Sequence, residues 1–183
     1  RMAMPLSPYY TADMVRQLPE DGQRYEVVAG ELLVTPAPRH WHQHLVGRLF
    51  FALESYLRAE PAGILVQSPA DISWAPDVLV QPDLFVVPLA EARTGDWAAM
   101  QHLPLVIEVL SPSTARADRF VKRRRYQEAG VPLYWIVDAD AEQAEVWTPT
   151  DHFPRIERTA LEWNPAGAGT AFRLELAELF RPL

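Results

Sequence analysis

The 183-residue chain has no cysteine, so disulfide frameworks, thiolate nucleophiles and cysteine-held metals are excluded, and a reducing compartment fits. No apolar run approaches the ~20 residues that a membrane helix requires. The amino terminus lacks the apolar core of a secretory signal, so the expectation is a cytoplasmic protein with no membrane association. Basic residues are outnumbered 17 to 24 and the formal net charge is −7, which argues against a surface coated all over with phosphate-binding groups. Disorder is also excluded, because 49% of residues are hydrophobic and only 22% charged. At this length the chain reads as a single domain, residues 1–183, able to bury roughly two-thirds of the surface that its unfolded form exposes.

What is present is patterned. The 17 prolines fall mostly between apolar segments, where they punctuate. Thr11 reads as the N-cap of a short helix running to about Leu18. Arg24–Val28 and Glu31–Thr35 flank Ala29-Gly30, which predicts a β-hairpin with a tight turn. From about His42 to Arg58, Leu45, Val46, Leu49, Phe50, Leu53, Tyr56 and Leu57 recur at helical spacing as one apolar stripe. His42 lies on that stripe at its start, either as a core or capping histidine or as a site residue. A strand follows from Ile64, then Asp71–Trp74, and Val78–Val87 reads as apolar strand interrupted by Pro82. A proline there marks a bulge or a break in pairing just before Asp83. Residues 88–104 read as loop with a helical turn near Trp97. Leu105–Leu110 is a strand, about Ala115–Ala129 a helix ended by Gly130, and Leu133–Asp138 a second strand. Strand, helix and strand within about thirty residues form a βαβ unit with parallel strands. Glu145–Thr148 pairs back across Asp138–Asp140, and the tail alternates weakly to a last turn near Leu179-Phe180. Trp97, Trp135, Trp147 and Phe180 are too scattered for a base-stacking surface and are assigned to the core or a subunit contact.

One residue breaks the pattern. Glu108 stands in the middle of the apolar run Leu105–Leu110, and a buried unpaired carboxylate costs several kcal/mol. Asp83, at the mouth of another apolar strand, is the best partner. Two carboxylates a few ångströms apart repel by about 4 kcal/mol at an effective dielectric of about 20, so one takes a proton or a cation lies between them. Oxygen ligands without cysteine or regular histidine spacing point to Mg2+ or Mn2+ rather than zinc. Such an ion can deprotonate water and steady a phosphorane-like transition state, and a lysine assists. Leu110, two residues after Glu108, is not that lysine. Asp118, Lys122 and Tyr126 share one helix face, from which Lys122 can reach Glu108; the plainer reading is a solvated face with an Asp118–Lys122 pair. Arg116, Arg119, Lys122, Arg123, Arg124 and Arg125 place six of the 17 basic residues in one segment, a source of contacts to backbone phosphates.

These residues carry a resemblance. Arg24-Tyr25-Glu26, Gly30-Glu31-Leu32, His42-Gln43, Gln81-Pro82-Asp83, Glu108–Thr114, Asp118, Lys122, Tyr126 and Gly130–Asp138 resemble, in that order, the Uma-type family of restriction-endonuclease-like proteins within the PD-(D/E)XK nuclease superfamily. The resemblance runs from about Ala12 to Thr148. It implies an α/β fold with a central mixed β-sheet flanked by helices and an N-terminal β-hairpin. It also implies a DNA-cutting site in which Asp83 and Glu108 bind magnesium, Lys122 replaces the usual lysine, and Glu31 and His42 line the centre, with Glu26 ranked lower because it can simply pair with an arginine. A homodimer is expected by superfamily analogy, since cutting both strands suits two-fold symmetry. The alternative is a catalytically inactive nuclease-fold module that binds nucleic acid or a protein, which Leu110 and the acidic net charge favour. A metal-free hydrolase with paired carboxylates leaves Lys122 and the basic helix without a role.

Overall fold

A computed structural model describes residues 8–183. After α1 (Ala12–Arg16), capped by the Thr11 hydroxyl and two residues shorter at its end than expected, β1 (Arg24–Val28) and β2 (Glu31–Thr35) pair in register from Arg24↔Thr35 to Val28↔Glu31. The reversal takes two residues because Ala29 and Gly30 both adopt positive φ, 49° and 79°, the backbone of a primed hairpin turn that matches strand twist. α2 (His40–Ala59) follows, and its Leu45, Leu49, Leu53 and Leu57 form the buried stripe. Then come β3 (Ile64–Gln67), β4 (Ile72–Ala75), β5 (Val78–Val80) and β6 (Leu84–Val87), and after them the short α3 (Leu89–Ala92). β7 (Leu105–Val109) leads into a helix whose first part, Ala117–Lys122, is π-helical and whose second, α4 (Arg123–Glu128), is regular. β8 (Tyr134–Asp138), β9 (Gln143–Trp147), β10 (Arg155–Glu157), β11 (Ala160–Trp163), β12 (Phe172–Glu175) and α5 (Leu176–Leu179) complete the chain.

The strands form a four-stranded sheet, β2-β1-β5-β4, a six-stranded sheet, β10-β9-β8-β7-β6-β3, and the pair β11-β12. In the six-stranded sheet β7 and β8 run parallel and the other neighbours antiparallel, so the sheet is mixed and the helix from Ala117 to Glu128 makes the expected βαβ crossover. Period-two alternation splits its residues between two cores. Leu84, Val86, Leu105, Ile107, Val109 and Trp135 face α2 and the C-terminal elements. Phe85, Val106, Tyr134 and Ile136 face the other way, against Tyr126 and the four-stranded sheet.

Pro82 does more than bend a strand. The stretch read as one interrupted strand is two, β5 in the four-stranded sheet and β6 in the six-stranded one, with Gln81-Pro82-Asp83 as the crossing between them. Proline has no N–H for either ladder, so pairing stops where the chain changes sheets. Among the described residues, no helix is long and apolar enough to cross a membrane.

Candidate active site

Antiparallel pairing of β6 with β7 puts Leu84 opposite Ile107, and one step further Asp83 meets Glu108. Each acid holds the other strand's backbone: Glu108 Oε1 accepts from the Asp83 amide at 2.8 Å, and Asp83 Oδ2 from the Val109 amide at 2.7 Å. The carboxylates thus continue the ladder where proline ends it. By strand alternation both fall on the side of the sheet that carries Phe85, Val106 and Tyr134.

Two cations and an imidazole face them. Lys122 donates to Glu108 Oε2 and lies 2.6 Å from Glu26 Oε2. Arg24 donates through Nη1 to Asp83 Oδ1 at 3.0 Å and to the Gln81 carbonyl at 3.0 Å, and its Nε lies 3.2 Å from Glu26 Oε1. His42, at the start of α2, brings Nε2 to 3.3 Å from Asp83 Oδ2. Glu26 also accepts from the Gln81 amide at 3.2 Å, so Arg24 and Glu26 hold both backbone groups of the residue before Pro82. The π-helical stretch sets Lys122 and Asp118 inward, and the Asp118 carbonyl accepts from the Tyr134 hydroxyl at 2.9 Å. The ion pairs of Lys122 are with Glu26 and Glu108; the Asp118–Lys122 pair of the plainer reading is not among them.

Burial and charge set the protonation states. Burial pushes Asp83 up, but the His42 hydrogen bond and the Arg24 charge outweigh it and bring the carboxyl to about 2. Burial raises Glu108, against the pull of the Lys122 ammonium. Burial and the Glu108 charge push the Asp118 carboxyl well above the usual carboxylate range. Lys122 is driven down by burial but further up by Glu108 and Glu26, and it stays an ammonium. Burial lowers His42, while the hydrogen bond to Asp83 and its charge raise it above the ordinary imidazole value.

Of the residues expected at the centre, the structure brings together Asp83, Glu108, Lys122 and His42, and it adds Glu26 at full strength. Glu31 stands apart. It lies on the same hairpin face as Glu26 but two rungs nearer the turn, half-exposed, where it accepts from Arg116 at 2.8 Å. Arg24 joins the centre through partners beyond any local pattern, since Gln81 and Asp83 lie 57 and 59 residues away. One signal was available for Lys122: it is the only lysine in the chain. The basic segment is largely occupied. Arg116 pairs with Glu31, Arg119 with Asp138 and Glu145, Arg123 with Gln127 and the Trp147 ring, and Arg125 with Glu128 and the Trp74 ring. Among the described residues, only Arg124 of that set has no such partner. Trp135, Trp147 and Phe180 are buried, and Trp97 is exposed.

A family model described as "Putative restriction endonuclease", Uma2, matches residues 12–176. The chain belongs to the Uma2 family. The fold agrees: the crystal structure of a putative nuclease belonging to DUF820 from Anabaena variabilis ATCC 29413 superposes with a TM-score of 0.78, covering 93% of this chain and 97% of that one at 20% identity. No curated protein matches the chain. Uma2 membership makes the chain nuclease-like, and the shared architecture shows the fold. Among the described residues, no group of three or more carboxylate, imidazole or thiolate side chains is arranged to hold a metal. The two carboxylates that the centre offers fit magnesium, which keeps several waters and takes one or two protein carboxylates. They do not fit zinc, which asks for three or four protein ligands.

Proposed function

We propose that this Uma2 protein is a Mg2+-dependent endonuclease that hydrolyses DNA phosphodiester bonds. The observation that carries the reading is the pairing of Asp83 with Glu108 on adjacent strands, with the chain's only lysine on the second acid. Asp83 and Glu108 would hold the divalent ion, with Mn2+ able to replace Mg2+; when bound, it supplies Lewis-acid chemistry and an activated water. Lys122 favours the ionised form of Glu108 and so acts on the centre through that carboxylate. His42 steadies the ionised form of Asp83 from the rim of the site.

Plasmid nicking tests this. Wild type is expected to relax supercoiled DNA with Mg2+, and Asp83→Ala and Glu108→Ala to lose that activity. Equal cutting by both variants would remove the assigned site. The second reading, an inactive module that binds nucleic acid or protein, draws on Leu110 at the usual lysine place and on an acid cluster already matched by Arg24, Lys122 and His42. Calorimetric titration separates the two readings, because a chain that takes up neither Mg2+ nor Mn2+ fits only the module.

A further inference from the structure

Lys122 is the lysine of this centre, yet that ammonium is in no position to meet a substrate. Its side chain is 1% exposed, and it is wedged between the carboxylates of Glu26 and Glu108, themselves 2% and 0% exposed. His42 reaches the rim at 12% exposure, but both ring nitrogens are engaged, Nε2 by Asp83 and Nδ1 by Gln43 at 3.2 Å. Arg24 differs on both counts. Its side chain is 17% exposed, the most open of the groups that touch the acids. Guanidinium carries five N–H donors. Nη1 serves Asp83 and the Gln81 carbonyl and Nε faces Glu26, while Nη2 has no partner among the described residues and is not enclosed.

We propose that Arg24, rather than Lys122, is the side chain that binds the backbone phosphate of the nucleic-acid substrate at this centre. The inference rests on the nuclease reading and deepens it. Two hydrogen bonds from Nη1 and the Nε–Glu26 ion pair fix the guanidinium beside Asp83, so an anion arriving there meets the Nη2 N–H groups already oriented. That rigidity lowers the entropy lost on binding, and the planar fork suits phosphate better than a point charge does. Arg24 also sits where phosphate contacts are scarce. The net charge is −7, and four arginines of the basic segment are bound within the protein. Lys122 is left as a positioning residue that acts through Glu108 and Glu26.

The experiment uses the wild-type chain first. Phenylglyoxal modifies accessible arginines, and peptide mass spectrometry reads each one with and without a saturating short DNA duplex in calcium. Arg24 is expected to lose reactivity when DNA is bound, while Arg58, 81% exposed at the far end of α2, keeps it. In fluorescence anisotropy, Arg24→Gln is expected to reduce the slope of log affinity against log salt by about 0.9, one phosphate contact, and Arg24→Lys to restore most of it. Duplex binding that leaves Arg24 as reactive as before overturns this inference alone. A wild-type chain that neither binds duplex nor nicks plasmid overturns the nuclease reading, and Arg24's role with it. The chemical readout needs no variant, so a poorly folded Arg24→Gln protein does not blunt the test.

Discussion

A single ammonium in a pocket of carboxylates is a stability element before it is a catalytic one. Lys122 keeps Glu26 and Glu108 from facing each other uncompensated. Lys122→Met is therefore expected to cost about 3–5 kcal/mol, the usual penalty for stripping one partner from a buried pair. In urea unfolding, Lys122→Met with Glu26→Gln should be less destabilised than the sum of the single changes, with a coupling of roughly 0.5–3 kcal/mol. Simple additivity would contradict the pairing. His42 gives a pH signature. Its folded pKa lies above the usual 6.5, so the stability it contributes is fully present below 6.5 and is lost as pH rises through the higher folded value. Melting temperature in metal-free buffer should fall across that window in wild type and be flatter in His42→Gln; identical profiles would count against the Asp83–His42 contact.

At the scale of elements, the hairpin was legible because a glycine sits between two β-rich runs, and the structure adds that Ala29 bears a positive φ of 49°. Asparagine tolerates that backbone better than alanine, so Ala29→Asn is expected to stabilise the fold by about 0.5–1 kcal/mol, read as a higher urea midpoint at unchanged slope. The neighbouring Gly30 has no such latitude, since a Cβ there would run into the Tyr9 ring. α2, the βαβ unit and the β8–β9 hairpin were equally readable, each carrying its period in contiguous residues. The change of sheet at Pro82 was not. Local sequence reports that pairing stops, but not which sheet the chain joins next. The site divides along the same line. Glu108 announced itself as a charge in an apolar run, and Lys122 by four-residue spacing from Asp118 and Tyr126. Arg24 and Glu26 looked like ordinary hairpin residues, because what makes them site residues is a contact with Gln81, 57 and 55 positions away. Glu31 shows the converse: a motif position can lie on the right face and still be two rungs from the centre.

For the molecule as a whole, the proposed function would link Mg2+, DNA and the internal charges. An ion entering at Asp83 and Glu108 would compete with Arg24, His42 and Lys122 for carboxylate oxygens, and a DNA phosphate on the outer Nη2 of Arg24 would bring anionic oxygen beside that ion. Manganese affinity measured by calorimetry is therefore expected to rise when a non-hydrolysable duplex is present. By thermodynamic reciprocity, the metal should tighten DNA binding by the same factor. A manganese affinity indifferent to DNA would show the two sites to be uncoupled.

The clamp on Gln81 also bears on how such a centre can be moved or redesigned. The shortest stretch of chain containing the ionic partners of both acids runs from Arg24 to Lys122, passing through the hairpin, the start of α2, both acid-bearing strands and the π-helical turn. The strand pair β6–β7 is therefore not a portable module. Transplanted into another sheet with Asp83 at its edge, it would carry two buried carboxylates and none of their counter-charges. A redesign that keeps the centre must carry the hairpin with it.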